Sequence, residues 1–150
     1  MRKLKDLFIL LFFLAIVIFY LFYTWPKLVD INYNSSLFIS DSNEYIENVN
    51  ISIQGEISKK FVKDGLFKGS IKVADDEYND VMIYLKKNSK ADIYYKENDN
   101  YIKLGTILQE GYFEQFTIVM EKGDLISAPC ETKEEGKNLY IYLKDKYNKK

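Results

Sequence analysis

The sequence predicts an α+β protein: an N-terminal transmembrane helix, then an antiparallel β-sheet domain of six or seven strands, closed by one C-terminal helix. Three observations predict it. An unbroken apolar run opens the chain, a period-two alternation follows in its middle, and the period lengthens towards that of a helix after residue 132.

The first element is the apolar run. Leu7–Tyr23 is seventeen residues without a charged or amide side chain, and fourteen of them are Leu, Ile, Val or Phe. Extended through Thr24 and Trp25, it reaches about 28 Å as a helix, close to the roughly 30 Å hydrocarbon thickness. At about −0.3 to −0.6 kcal/mol per apolar residue, insertion is favoured by roughly 4–8 kcal/mol. A cleavable signal has a shorter apolar region followed by small residues. This run ends instead in "FYLFYTWP". A buried core helix does not need apolar residues on every face. Leu7 opens the anchor, Tyr20, Tyr23 and Trp25 suit an interfacial aromatic belt, and Pro26 stops the helix. Arg2, Lys3 and Lys5 set the topology by the positive-inside rule. The expected location is therefore the cell membrane, single-pass, with residues 1–6 cytoplasmic, 7–25 in the bilayer and 26–150 extracytoplasmic.

Residues 26–48 mix short apolar pieces with Asn, Ser and Asp, and read as a stalk with one strand near Leu37–Ser40. From residue 49 a β-rich domain begins. Val49, Ile51, Ile53, Gly55 and Ile57 fall on one face and Asn50, Ser52, Gln54 and Glu56 on the other, the pattern of a half-buried strand. Phe67, Gly69, Ile71 and Val73 repeat it. Shorter runs at Val81–Leu85, Ala91–Lys96, Tyr101–Leu108, Phe116–Met120 and Leu125–Ala128 are joined by polar turns such as "ADDEYND" and "ENDN". Thr132 with Glu135 then fits a capping box. Gly136, Leu139, Tyr140, Leu143 and Tyr147 share one arc of a helix expected over 133–147. A strand competes there, because Leu139, Ile141 and Leu143 also alternate.

Composition narrows the chemistry. Removing Arg2, Lys3, Lys5 and Asp6 from the totals leaves 18 basic and 21 acidic residues, a net charge near −3, and no arginine. A domain without bidentate phosphate ligands points away from nucleic acid. The chain has no histidine, which removes the Ser-His-Asp and Cys-His systems and His-ligated zinc. Cys130 is the single cysteine, so no intrachain disulfide forms. Its place before the helix start would suit a reactive thiol, and equally a small residue packed where strand meets helix. Asp75, Asp76, Glu77 and Asp80, and again Glu97 and Asp99, cluster in turns, but neither turn has the glycine of a calcium loop. Tyr94 and Tyr95 are adjacent, so on a strand they point to opposite faces. Exposed aromatics of this kind stack on sugars or anchor protein partners, or simply pack across strands.

The stretch "ISAPCETKEEGKNL", with Ala128, Pro129, Glu134 and Glu135, resembles the end of small uncharacterised single-pass membrane-anchored proteins of low-GC Gram-positive bacteria. The richness in Lys, Asn, Ile and Tyr fits the same source. The resemblance implies a last strand, an Ala-Pro turn and a closing helix with an acidic first turn. It implies no activity, and Gly136 departs from it. No catalytic residue, cofactor or metal ligand is assigned. The expected function is a non-enzymatic module binding a protein or envelope component beside the lipid bilayer. The alternatives are a tethered carboxylate-dependent hydrolase of envelope components and a structural subunit of a membrane complex.

Overall fold

Alternation along the middle of the chain is realised in full: Ile51, Ile53, Ile57, Phe67 and Ile71 are all buried in one core. In this computed structural model residues 2–39, 42–60, 63–86 and 88–148 are described, without the side chains of 2–7, 36, 39, 59–60, 63–64 and 148. Helix α1 (Arg2–Thr24) is followed by strands β1 (Lys27–Ile39), β2 (Glu44–Lys60), β3 (Lys63–Val73) and β4 (Asp76–Leu85). Strands β5 (Ser89–Glu97), β6 (Asn100–Glu110), β7 (Gln115–Met120) and β8 (Leu125–Ala128) come next, and helix α2 (Lys133–Asn148) closes the described chain.

The expectation of a sheet of six or seven strands is corrected. Eight antiparallel strands join in sequence order and close into a barrel, with β1 pairing to β8 at Ser36–Ser127, Leu37–Ile126 and Phe38–Leu125. Closure removes the unpaired edges that an open sheet would present. Residues 26–48, read above as a stalk, carry β1 and the start of β2 instead. The transmembrane part of the expected fold is corrected as well. Among the described residues, no helix is long and apolar enough to cross a membrane.

Every strand alternates between barrel interior and surface, so Ile83, Ile93, Ile107 and Ile118 meet the core from four different strands. Turn chemistry supports the meander. Asn98 and Asp99 both have positive φ (47° and 65°), the backbone of a tight hairpin between β5 and β6. The turn between β6 and β7 does something different. Phe113 takes φ 63°, which costs about 1–2 kcal/mol for a residue with a Cβ. It thereby buries its ring against Phe67 (5.1 Å between centroids) and Phe116 (6.2 Å). Burying a phenylalanine is worth about 1.5–3 kcal/mol before edge-to-face contacts add to it, so the strained turn is the favourable choice.

Helix α2 lies across the outside of β7 and β8. Thr117 and Ser127 point outward there, yet both are buried, and their hydroxyls hydrogen-bond each other at 3.0 Å. Leu143 is buried and Gly136 faces the barrel, as the predicted arc requires. The capping expected at Thr132 is present, with the Glu135 N–H donating to Thr132 Oγ1 at 3.3 Å. The Glu135 carboxylate in turn accepts from the Glu131 N–H at 2.9 Å. Glu47 of β2 adds a third tie, accepting from the Lys133 N–H at 2.7 Å.

Candidate functional site

Two irregularities in the barrel wall border an open groove on its surface. Gly55 of β2 pairs directly with Gly69 of β3. A Cβ on Gly55 would lie 2.7 Å from the Gly69 Cα, and one on Gly69 would overlap the Gln54 carbonyl oxygen. Only glycine permits that approach, so the two strands pinch together here. Next to the pinch, Gly69 pairs with Val81 and Ile71 with Tyr78, leaving Ser70 opposite both Asn79 and Asp80. This is a β-bulge, and Asp80 adopts φ 51° within it.

Outside the pinch and bulge runs an open groove of about 600 Å³, lined by Gln54, Glu56, Lys68, Ser70, Asp80 and Tyr101 among others. Tyr101 comes from the start of β6 and is 51% exposed. Gln54 Nε2 donates to Asp30 Oδ1 at 3.2 Å. Among the described residues the side chains of Glu56, Lys68, Asp80 and Tyr101 make no hydrogen bond or ion pair, so donors, acceptors and an aromatic face all stand open to a ligand. Beside the groove, strands β4 and β5 are in register only at Met82–Tyr94 and Ile83–Ile93.

The sequence-predicted residues fall elsewhere. Tyr94 and Tyr95 are both half-buried, and the Tyr95 ring packs inward on Tyr78 at 5.5 Å. Asp75 in the β3–β4 turn and Asp76 and Glu77 at the start of β4 are exposed, on the barrel end opposite α1. Burial, with Asp76 adding to it, pushes the Tyr78 hydroxyl above its ordinary pKa. Close by, Lys122 sits 2.7 Å from the buried Asp124, a hydrogen-bonded pair that raises the lysine. Lys103 bridges Glu121 at 3.1 Å and Asp92 at 3.2 Å, and those hydrogen bonds raise it likewise. Cys130 is buried, its thiol donating to the Ser127 carbonyl at 2.8 Å. A packed thiol of this kind fits the structural role better than a reactive one.

Of the anchor residues, Tyr20, Tyr23 and Trp25 are exposed, while the side chains of Arg2, Lys3, Lys5 and Leu7 lie outside the described residues. The described part of α1 is apolar on every face, with Phe8 at 71%, Phe22 at 79% and Trp25 at 71% exposure. None of its residues belongs to the barrel core. Sequence reasoning missed the groove, because pinch and bulge arise from pairing across strands. The one available signal was a pair of glycines at inward positions of neighbouring alternating segments. Compared with known proteins, the chain matches no family model, no curated protein and no solved structure.

Proposed function

We propose that the chain is a membrane-anchored extracytoplasmic binding module, held in a bilayer by α1 and offering the groove beside Tyr101 to a protein or envelope component. The observation that carries this reading is α1 itself. Large apolar side chains stand exposed on all its faces and contribute nothing to the core. In water such a surface, far above a few hundred Å², would drive association, whereas in lipid it is favourable. The described apolar stretch is Phe8–Thr24, and among the described residues no helix is long and apolar enough to cross a membrane. An interfacial helix would keep one polar face, and this one has none in that stretch. Contact of α1 with lipid along its apolar surface is the arrangement these properties favour.

Fractionation tests the reading directly. The protein is expected in the membrane pellet after alkaline carbonate washing. A cysteine introduced in the exposed distal turn, Asp75→Cys, should react with an impermeant maleimide on whole cells. Recovery in the carbonate supernatant, or labelling only after lysis, would sink it. Glu56 and Asp80 line the same groove, the one observation that favours the hydrolase reading. Release of soluble fragments from envelope polymer, abolished by Glu56→Gln or Asp80→Asn, would give that reading preference.

A further inference from the structure

Because the strands form a strict meander, the barrel has two ends of opposite chain chemistry. The β2–β3 and β4–β5 connections lie at the end where β1 starts and α1 joins. That end carries Lys27, Lys86 and Lys90, all exposed, with Lys60 and Lys63 paired in register where β2 meets β3. The β6–β7 turn at that end adds Glu110, matched by Lys146, and the exposed Glu114. The opposite end holds Glu44, Asp75, Asp76, Glu97, Asp99 and Glu121, all exposed. At the acidic end the lysines Lys96, Lys103 and Lys122 are each paired with an acidic neighbour, whereas Lys27 and Lys90 at the α1-side end stand exposed.

That end is also the one tied to α1. Only Trp25 and Pro26 separate Thr24 from Lys27, so β1 begins within about 10 Å of the helix end. Leu28, the second residue of β1, is 86% exposed beside Lys27, an apolar side chain next to a cation. Lysines with neighbouring apolar and aromatic residues are the composition of a surface that meets lipid headgroups. We propose that the α1-side end of the barrel docks on anionic phospholipid headgroups of the bilayer that holds α1, with the acidic end turned away. The inference rests on the membrane reading above. Docking orients the barrel, so the groove opens sideways, parallel to the membrane plane, and the acidic turns face the envelope.

Each lysine removed should weaken docking about fivefold, and added salt should screen it. The test uses the full chain in lipid nanodiscs, one set phosphatidylcholine alone and one containing phosphatidylglycerol, read by amide hydrogen exchange. Residues 86–90 should exchange at least fivefold more slowly in the anionic discs, with residues 74–76 and 121–124 unchanged. The protection should vanish in 0.5 M salt and in Lys27→Gln/Lys86→Gln/Lys90→Gln. The milder Lys27→Gln/Lys90→Gln should lose part of it with an unaltered circular dichroism spectrum. Equal protection in both disc types, protection of the acidic end, or protection produced by soluble polyphosphate but not by anionic lipid would overturn the docking. A chain that fails to remain in either disc would overturn the anchorage itself, which separates the two failures.

Discussion

Tyr147 shows how a single side chain ties an element to the barrel. Its hydroxyl donates to the Gln109 carbonyl at 2.7 Å, while Gln109 is itself fully buried and donates to the Lys86 carbonyl at 2.9 Å. Burial, reinforced by Tyr142, raises the Tyr147 pKa above 10.0. The sign of the resulting pH dependence follows from linkage. A group whose folded pKa is raised contributes stability that is complete below the unfolded value and lost as pH climbs through the folded one. Tyr78 and Lys122 are raised too, so all three act in the same direction. Stability should therefore hold to about pH 10 and fall above it. Tyr147→Phe should lose about 1 kcal/mol at neutral pH, the value of one hydrogen bond, and should flatten part of the alkaline decline. Urea titrations at pH 8 and pH 10.5 measure both effects. An unchanged alkaline slope in the variant would show that this hydroxyl does not titrate with unfolding.

Helix α2 depends on its first turn more than on its intrinsic propensity, since Gly136 disfavours it by about 1 kcal/mol relative to Ala. Thr132, Glu135 and Glu47 together satisfy three backbone donors that would otherwise face water or remain unpaired. Thr132→Ala should cost about 1 kcal/mol, and Glu47→Ala should add a loss of similar size. A denaturation midpoint that does not move in either variant, with unchanged slope, would argue that the cap is idle. This helix was legible in the sequence because cap and arc are local. So were β2 and β3, where apolar residues and glycine alternate with polar ones over 49–57 and 67–73. Strand β1 was not. Its buried position Ser35 is polar, and it is tolerated because Ser35 Oγ donates to the Val49 carbonyl at 2.7 Å. Beside it the pairing slips between Ser35 and Leu37, with Asn48 of β2 at φ 56°. A polar core residue next to a bulge erases the alternation that a single strand can show. The groove was hidden for a related reason: Gly55, Gly69 and Asp80 are informative only once their partners across the sheet are known.

At the scale of the molecule, the barrel core is assembled without the described part of α1. The core draws on β1 through β8 and the β6–β7 turn, and no described side chain of α1 belongs to it. Closure rests on the short β1–β8 pairing, where Leu37 meets Ile126 inside the barrel wall. Helix α2 reinforces that region by covering Thr117 and Ser127 from outside. The forces that close the barrel therefore all arise after Pro26. A chain lacking residues 2–24 should fold to the same barrel, remain monomeric without detergent, and melt within about 4 °C of the full-length protein in micelles, a shift corresponding to roughly 1 kcal/mol. Thermal circular dichroism and sedimentation would test this. A much lower melting temperature, or loss of β structure, would mean that α1 packs on the barrel and lends it stability. In that case the exposed apolar helix would be an element of the fold, and membrane anchorage would lose its main support.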